Sequence, residues 1–494
     1  MRSTEPLPRA PSRHSPNLLR PMTPPPGTSG NPLRVAVVGS GPAGFYAAEH
    51  LLRSEDLDFE VDVFDRLPTP FGLVRAGVAP DHPKIKSVIR VYEKTAAREG
   101  FRFFGNVEVG RDVSAAELAD HYHAVIYAYG APTDRHLGIP GEDLPGSHAA
   151  TEFVAWYNAH PDFADHEFDL SCERAVVIGN GNVATDVARM LGLNREELEA
   201  TDTAEHAIDS LAENGIKEIL VLGRRGPVQA AFTNPELREL GEMKDADVDI
   251  DPAEVELDDL SRAYLESDEA DITTRKNVEI FTEFSQRGPE SKRKRIALRF
   301  LRSPIEIQGD GRVERLVVAR NELHRDEEGA IRARDTGERE TIECGLVFRS
   351  IGYAGVGLEG VPFDERRGVI PNRGGRVTEL GGDQQVHGHY AVGWIKRGPS
   401  GVIGTNKKDA QETVDGLIDD AKAGRVPSPP LAGERSTIVE LLAERAPDAV
   451  SYQGWEAIDR AEQERGKPLG RPRVKFVRID AMLEAARANA AVSG

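Results

Sequence analysis

Two copies of one short sequence motif constrain the fold of this chain more than any other feature. Each copy is an apolar strand-like run, a glycine turn and the start of a helix: "VAVVGSGPAGFYAAEH" at Val35–His50 and "VVIGNGNVATDVAR" at Val176–Arg189. A strand that is followed by a helix in this way leads into a second, parallel strand and so forms a βαβ unit. The chain therefore predicts an α/β fold with two Rossmann-like dinucleotide-binding domains.

The first copy has the spacing GxGxxG at Gly39, Gly41 and Gly44. The first glycine permits a tight turn, the second lets the backbone approach a pyrophosphate, and the third lets the helix pack on the strand. The next strand-like run, "FEVDVFDR", reaches Asp65, whose carboxylate can accept hydrogen bonds from a ribose 2′-OH. This copy therefore predicts a dinucleotide with a free 2′-OH.

The second copy has the spacing GxGxxA at Gly179, Gly181 and Ala184. The strand after it ends in a glycine and two arginines, Arg224 and Arg225, instead of an acid. Guanidinium groups bind a 2′-phosphate with charge-assisted hydrogen bonds, whereas a carboxylate repels it. The second copy therefore predicts NADP(H). FAD suits the first, because a flavin accepts a hydride and can release single electrons.

The composition excludes several other classes of protein. The formal net charge of the 494 residues is −20, which argues against a nucleic-acid partner. No apolar run is long enough for a transmembrane helix. Only two cysteines occur, Cys172 and Cys344, in unrelated contexts, which excludes a cysteine-held iron–sulfur cluster or zinc site. We expect a cytoplasmic protein without membrane insertion and without a metal site.

Other stretches give coarser expectations. Residues 1–32 are rich in Pro, Ser and Arg, and we expect a disordered tail; a transit peptide and a start at Met22 stay open as alternatives. The acidic stretch Asp245–Asp271 is expected to be loop-like. "RIALRFLRSPIEIQGDGRVERLVVARNEL" predicts antiparallel hairpin strands with a "GDGR" turn. The last 60 residues are expected to be mostly helical.

Longer motifs identify a family. The stretches "VDVFDRLPTPFGLVRAGVAPDHPKIKSVI", "FRFFGNVEVG", "VLGRRGPVQAAFT", "PELREL" and "GWIKRGPSGVIGTNKKDA" resemble the adrenodoxin reductase family of ferredoxin–NADP reductases, and most closely its bacterial FprA-type NADPH–ferredoxin reductases. The resemblance runs from about Leu33 to the C-terminus. It implies two glutathione-reductase-like domains: a discontinuous FAD domain at 33–131 and 371–494, and an inserted NADP domain at 132–370.

The resemblance also implies site residues. For FAD these are Ala43, Asp65, Leu73, Val109, Trp394, Gly401, Val402 and Ile403, and for NADP they are Gly181, Asn182, Val183, Ala184, Arg224, Arg225, Glu236 and again Gly401. Most members of the family have Glu where this chain has Asp65, so the carboxylate is kept on a side chain that is one methylene shorter. We add Gly130, in the glycine turn that ends the strand at His123–Pro132, to the cofactor-binding residues.

The implied reaction passes a hydride from NADPH to tightly bound FAD and then single electrons to a ferredoxin-type iron–sulfur protein. His82 is the candidate for handling protons, because histidine titrates near neutral pH, and Glu239 resembles the family position that partners it. Arg238 resembles a docking position for ferredoxin. Lys396, Arg397 and the run "KRKR" at 292–295 are further docking candidates.

Three alternatives use similar features. A flavin-dependent NADPH monooxygenase also has two dinucleotide sites, but no marker of an organic-substrate pocket occurs in the sequence. The NADPH-oxidising half of a glutamate synthase would carry cysteine clusters, which are absent from this sequence. A redox sensor would use the bound nucleotide only as a signal. Turnover with NADPH and a one-electron acceptor separates these alternatives.

Overall fold

The computed structural model describes residues 26–288 and 291–490. Residues 1–25, including Met22 and most of the expected tail, lie outside the described residues. The strands within the described residues are β1 (Leu33–Val38), β2 (Phe59–Phe64), β3 (Phe101–Phe104), β4 (Ala124–Tyr127), β5 (Thr133–Asp134), β6 (Ser147–Ala149), β7 (Arg174–Ile178), β8 (Glu218–Leu222), β9 (Ala246–Asp249), β10 (Lys294–Arg299), β11 (Arg302–Gln308), β12 (Arg315–Arg325), β13 (Ile331–Glu343), β14 (Leu346–Arg349), β15 (Tyr353–Ala354), β16 (Asn372–Arg373), β17 (Arg376–Thr378) and β18 (Gln385–Ala391).

The described helices lie between and after these strands. They are α1 (Pro42–Leu52), α2 (Leu73–Ala76), α3 (Pro83–Lys86), α4 (Ile89–Ala96), α5 (Ala115–His121), α6 (Ala150–Tyr157), α7 (Asn182–Gly192), α8 (Arg195–Glu199), α9 (Glu205–Ala212), α10 (Asn234–Leu240), α11 (Asp259–Glu266), α12 (Ile272–Arg287), α13 (Trp394–Arg397), α14 (Thr405–Lys422), α15 (Ser436–Arg445), α16 (Tyr452–Gly466) and α17 (Ile479–Ala490). None of them is both long and apolar enough to cross a bilayer.

Two large sheets form the two halves of the protein. The first has the order β16-β17-β18-β4-β1-β2-β3 and takes its strands from two separate stretches of chain. The second, β6-β14-β7-β8-β10-β9, is parallel throughout and is built from the chain between those stretches. One dinucleotide-binding domain is therefore inserted into the other, as predicted. The residue boundaries of the domains stay a prediction.

Each of the two sequence copies forms the expected βαβ unit. The strand β1 pairs in parallel with β2 after crossing through α1, and β7 pairs in parallel with β8 after crossing through α7 and two further helices. The "GDGR" turn joins the antiparallel strands β11 and β12. The last 60 residues are mostly helical, in α15, α16 and α17.

Two expectations about the middle of the chain are wrong. The stretch Asp245–Asp271 contains β9 and α11, because β9 pairs with β10 and forms an edge of the second sheet. The strand β10 is not part of the hairpin: it lies between β8 and β9 in the parallel sheet. Its Ile296 and Ala297 are buried in opposite clusters, which is typical of a strand covered on both faces and gives no alternation in the sequence.

The antiparallel sheet β11-β12-β13 covers one face of the second parallel sheet. Val177 packs with helix residues such as Val187, whereas Val176 packs with Leu316 and Val318 of β12. The second domain therefore has helices on one face of its central sheet and a small sheet on the other.

The two cysteines lie at the starts of neighbouring strands, which their sequence contexts did not suggest. Cys344 precedes β14 and packs with Leu316, whereas Cys172 precedes β7 and packs against the helix side of the same sheet. Both are free, and burial raises the pKa of each thiol. The two thiols lie close enough for the charge of Cys172 to contribute to the raised pKa of Cys344.

The chain crosses between the two domains at a two-stranded ladder. It enters the second domain through β5 and leaves through β15, and Thr133 and Asp134 pair with Ala354 and Tyr353. Both crossings therefore lie side by side.

The two domains also meet through complementary charges, and in five ion pairs the cation comes from the first domain and the acid from the inserted domain. The ion pairs are Arg66–Asp162, Lys86–Asp202, Arg465–Glu205, Lys475–Asp202 and Arg478–Asp165.

The C-terminal helices are fixed to the first domain by a buried ion pair. Glu462 of α16 is fully buried and accepts hydrogen bonds of 2.9 and 2.5 Å from Arg75 of α2, as well as one from the Phe476 amide. The Arg75 guanidinium also lies 5.2 Å from the ring centroid of Trp455. Because Arg75 stays charged at any pH that the protein tolerates, this carboxylate is its necessary partner.

Glu462→Ala should lower the free energy of unfolding by about 3–5 kcal/mol, because it leaves the Arg75 charge buried without its partner. Urea unfolding of the FAD-loaded protein measures this change. Glu213→Ala removes an exposed partner of Arg195 and should cost less than about 1 kcal/mol. Equal effects of the two substitutions would contradict the assigned role of Glu462.

Candidate functional site

The first glycine turn has the geometry that a phosphate-binding turn requires. Gly39 has φ +106°, and a Cβ there would lie 2.7 Å from the Ala128 carbonyl group. A Cβ on Gly44 would lie 2.1 Å from the Gly39 oxygen. Around Gly41, by contrast, an added Cβ would meet nothing within 4 Å. The outer two glycines are thus needed for packing, and the middle one leaves open space for a ligand.

Among the described helices of 11 residues or more, three begin at glycine turns without a side-chain cap. The N-cap residues of α1, α7 and α14 are Gly41, Gly181 and Gly404, and none of these helices has an acidic residue in its first turn. Helices elsewhere, such as α5 and α8, are capped by Ser114 and Asn194. The N-termini of α1 and α7 keep N–H groups and a partial positive charge available for anionic groups of a ligand. The first three amides of α14 already donate to the carbonyls of Val402, Ile403 and Gly404, so α14 offers only its partial positive charge.

Asp65 lies beside the first turn, one residue after β2. Its Oδ2 accepts hydrogen bonds from the Ser40 amide (3.0 Å) and the Ser40 hydroxyl, and its Oδ1 accepts one from the Leu67 amide (3.0 Å). Burial raises the pKa of Asp65, against the effect of these hydrogen bonds. A carboxylate accepts about four hydrogen bonds, so one position is left for a ribose hydroxyl.

The other residues expected at FAD lie in the first domain, and some of them lie beside this turn. Leu73 follows Gly72, where a Cβ would lie 3.0 Å from Gly41 Cα. Leu73 is 39% exposed and Val402 is 56% exposed, which is unusual for apolar side chains and fits surfaces that a cofactor covers. The remaining ones are Ala43, which is buried at the start of α1, Ile403, which packs against the same core, Val109, which lies at the edge of the opposite core, and Gly130, which has φ +77° and open space around it.

Trp394 lies where the loop after β18 meets the interdomain ladder. Its ring centroid is 5.0 Å from that of Tyr353 in β15. Gly393, just before it, packs so closely on α1 that a Cβ would lie 2.5 Å from the Ala43 side chain. Gly401 has φ +80°, and a Cβ there would lie 2.6 Å from the Thr405 hydroxyl at the start of α14. This loop therefore brings Trp394 and the α14 N-terminus to the side of the first turn.

The second glycine turn repeats the geometry of the first. Gly179 has φ +139°, and a Cβ there would lie 2.1 Å from the Ser350 oxygen, whereas Gly181 has open space. Ala184 is fully buried and Val183 partly so. Asn182 accepts a hydrogen bond of 2.9 Å from the Thr233 amide, which fixes the "QAAFT" loop against the turn.

One polar atom of this turn is buried without a partner. The side-chain nitrogen Nδ2 of Asn180 has no hydrogen-bond acceptor among the described residues. It lies near Gly223, which immediately precedes the two arginines. A buried donor without an acceptor costs free energy unless a ligand or water satisfies it, so this atom fits a nucleotide-binding turn.

Arg224 and Arg225 are cations without a carboxylate partner. Among the described residues, no carboxylate oxygen lies within 4.0 Å of either guanidinium, so neither arginine forms a salt bridge. Burial lowers the pKa of Arg225, and the positive charges of Arg224 and Arg332 act in the same direction. In a chain with 82 acidic residues, an arginine pair without a carboxylate partner fits the expected phosphate site.

His82 and Glu239, far apart in the sequence, meet at the domain interface. His82 is 6% exposed, and its Nε2 lies 2.6 Å from Glu239 Oε2. Its other nitrogen, Nδ1, lies 3.4 Å from Glu236 Oε1. Glu236, expected beside NADP, is buried in this cluster and also accepts a hydrogen bond of 2.8 Å from Arg189. The imidazole is therefore held between two carboxylates.

Arg189 is the centre of this cluster. Its side chain is 2% exposed, and it donates to both oxygens of Asp81 at 3.0 Å and to Asp186 at 3.1 Å. Burial alone would lower the pKa of Arg189, but the carboxylates outweigh it and raise the pKa. Burial and the neighbouring carboxylates raise the pKa of Asp186 to about 8, against the effect of Arg189.

The ligand atoms of His82, Glu236 and Glu239 lie within 4.8 Å of one another, the spacing of a metal site. However, Arg189 already supplies the positive charge that these carboxylates need, and His82 and Glu239 are in direct hydrogen-bond contact. We therefore keep the expectation that no metal ion binds here.

Two of the candidate docking cations are buried in ion pairs or hydrogen bonds. Lys396 is 7% exposed and pairs with Glu412 at 2.7 Å, and Lys294 of the "KRKR" run is 2% exposed and donates to the Leu191 carbonyl. They are wrong as docking residues, because neither charge faces solvent. Arg397 is half-buried and donates to Asn406, whereas the Arg238 side chain is 56% exposed and 3.7 Å from Glu283.

Sequence reasoning missed Asp81, Asp186, Arg189 and Tyr353. Asp186 and Arg189 lie three residues apart on α7, which places them on one face of the helix and could have identified the pair. Asp81 directly precedes His82. Tyr353 had no recognisable signal, because its contact with Trp394 depends on how the two domains are arranged.

Comparisons with known proteins agree with this geometry. The model of the pyridine nucleotide-disulphide oxidoreductase family matches residues 33–220. NADPH-ferredoxin reductase FprA of Mycobacterium leprae is 51% identical over 454 residues, covering 91% of this chain and 97% of that protein. Mitochondrial NADPH:adrenodoxin oxidoreductase of Salvelinus fontinalis is 42% identical over 464 residues, covering 92% of this chain and 91% of that protein.

A solved structure is similar over the same length. Mycobacterium tuberculosis FprA in complex with NADPH superimposes with a TM-score of 0.86 at 50% identity, covering 92% of this chain and all of that chain. The chain therefore belongs to the family of the FprA-type NADPH–ferredoxin reductases and the adrenodoxin reductases.

Proposed function

We propose that this protein is an FAD-containing reductase that takes a hydride from NADPH and passes single electrons to a ferredoxin-type iron–sulfur protein. One observation carries the proposal: two glycine turns of the same geometry end in opposite charges, Asp65 at the first and the uncompensated Arg224 and Arg225 at the second. The relatives named as NADPH–ferredoxin and adrenodoxin reductases support it.

The proposed roles divide between the two turns. Gly41 and the α1 N-terminus would hold the FAD pyrophosphate, and Asp65 its ribose. Gly181, the α7 N-terminus and the arginine pair would hold NADPH. Bound FAD supplies the conversion between a two-electron donor and a one-electron acceptor. The α14 N-terminus, with Gly401 before it, would stabilise negative charge beside Trp394.

The cluster around His82 would manage protons at the domain interface. His82 Nε2 can hold a proton against Glu239, and Nδ1 faces Glu236. Because Arg189 fixes Glu236 and contacts Glu239, the imidazole is held in one orientation. Proton transfer by a positioned histidine is efficient near neutral pH.

The function is tested by recording the absorption spectrum of the purified protein and by following its reduction with NADPH and with NADH. A yellow protein that releases FAD and is bleached anaerobically by NADPH much better than by NADH supports the proposal. A colourless protein that takes up no FAD would overturn it. Turnover with a one-electron acceptor excludes a pure redox sensor, and slow oxygen consumption without stimulation by organic substrates argues against a monooxygenase. The cytoplasmic location stays a prediction.

Replacing both Arg224 and Arg225 by alanine should weaken NADPH selectively, since each lost charged hydrogen bond costs on the order of 1.5–3 kcal/mol. The KM for NADPH should rise by at least about a hundredfold while kinetics with NADH stay within about twofold. Steady-state kinetics with a dye acceptor measure both. An unchanged preference for NADPH would mean that the phosphate lies elsewhere.

Glu239→Gln keeps a side chain of the same shape beside His82 but removes the charge that compensates a protonated imidazole. We expect kcat to fall about tenfold and the KM for NADPH to change less than about twofold. Stopped-flow reduction of the bound flavin is the measurement. Glu242→Gln removes an exposed charge just after the same helix and serves as the control; equal rates in the two variants would argue against a role for Glu239.

Arg238→Glu should raise the KM for an acidic ferredoxin about tenfold, because it reverses an exposed charge next to the His82–Glu239 contact. NADPH–dye turnover should stay unchanged. Arg195→Glu reverses an arginine of α8 with 41% side-chain exposure and should change neither rate. Wild-type ferredoxin kinetics in the Arg238 variant would refute this docking position.

A further inference from the structure

The loop that carries the arginine pair is held by the chain that enters the small antiparallel sheet. The Gly223 amide donates to the Arg299 carbonyl at 2.8 Å, and the Arg302 amide donates to the Gly223 carbonyl at 3.0 Å. The Leu301 amide donates to the Arg225 carbonyl at 3.2 Å. The backbone of residues 223–225 is therefore fixed to residues 299–302, where β10 passes into β11.

This connection has an unusual backbone conformation. Leu301 has φ +55°, in the left-handed region that a leucine rarely adopts. Its carbonyl accepts a hydrogen bond of 2.9 Å from the Asn321 amide of β12. A strained residue of this kind persists only where its surroundings hold it in place. Asn321 is part of those surroundings.

The Asn321 side chain reaches the arginine pair directly. It is 4% exposed, and its Nδ2 donates to the Arg224 carbonyl at 2.8 Å and to the Ser303 hydroxyl at 2.7 Å. Both hydrogens of the amide nitrogen are thus used, so the side chain cannot rotate without losing one of them. The register between β12 and β13 shifts between Ala319 and Asn321, and Asn321 is the first paired residue after the shift.

The same region also contains carboxylates, but these are paired with other arginines and do not neutralise Arg224 and Arg225. Glu340 of β13 binds Arg299 at 2.6 Å and Arg302 at 3.2 Å, and Glu254 binds Arg302 at 3.3 Å. Of the four arginines that meet here, two are therefore neutralised by carboxylates. Arg224 and Arg225 are the two that keep their charge for a ligand.

We propose that Asn321 is a positioning residue for the 2′-phosphate of NADPH: by holding the Arg224 carbonyl it fixes the backbone from which both guanidiniums extend. The antiparallel sheet β11-β12-β13 is then the support on which the preference for NADPH over NADH depends. This inference rests on the proposed assignment of NADPH to the second glycine turn.

Calorimetry on the FAD-loaded protein tests it without turnover. Adenosine 2′,5′-bisphosphate and 5′-AMP differ only in the 2′-phosphate, so the ratio of their affinities measures recognition of that group. Asn321→Leu keeps the number and branching of the side-chain heavy atoms but donates no hydrogen bond. It should lower the affinity for the bisphosphate about tenfold and leave that for 5′-AMP within about twofold. In kinetics, the KM for NADPH should rise with kcat unchanged, and the kinetics with NADH should stay as in the wild type.

Asn214→Leu is the matched control. Asn214 lies in the same domain and also donates to two backbone carbonyls, those of Leu191 and Leu211, but it does not contact the arginine loop. It should leave the ratio of the two affinities unchanged even if it lowers stability. If Asn321→Leu does not fold, Asn321→Ala takes its place with the same expected direction.

The outcomes separate the inference from the function on which it rests. A wild-type protein that binds both nucleotides equally would overturn the NADPH assignment itself. A wild-type protein that discriminates, with an Asn321 variant that discriminates equally well, would overturn only the role of Asn321. An equal loss of affinity for both nucleotides in the variant would also overturn it, because it would show a general structural role.

Discussion

The guanidinium of Arg189 is buried where the two halves of this protein meet. Arg189 comes from the inserted domain, yet its strongest partner, Asp81, belongs to the loop of the other domain that also carries His82. Asp81, Asp186, Glu236 and Glu239 all contact this one guanidinium. Its removal would leave four acidic groups without a cation, so the charges of this cluster form one unit. The orientation of His82 and the burial of Glu236 both depend on this cation.

The helix α7 serves two purposes at once. Its first residues turn unpaired N–H groups toward the second glycine turn, and one turn later Asp186 and Arg189 reach the domain interface. A nucleotide at the helix N-terminus and a proton-handling cluster on its side are therefore connected through one rigid element. The small antiparallel sheet gives a comparable support to the other end of the nucleotide site, through Asn321.

Much of the fold could be predicted from local sequence patterns, whereas the rest depends on pairing between strands that lie far apart in the sequence. The two βαβ units were predictable because Gly39, Gly41 and their counterparts have a fixed spacing and a fixed physical task. The strand β9 was missed because it is a short acidic edge strand whose partner, β10, lies far along the chain. The His82–Glu239 pair came from resemblance alone. Arg189, buried among acids, could not be told from a solvated arginine without the structure.

The two-residue strands β5 and β15 have a mechanical consequence. Because both chain crossings lie in this one short ladder, a relative motion of the inserted domain that broke the interdomain ion pairs would pivot there. Groups close to the pivot, such as Tyr353 against Trp394, would move little during such a swing. Groups farther from the ladder would move through larger distances. Nucleotide entry could then be gated at the periphery while the spacing of the reacting centre is preserved.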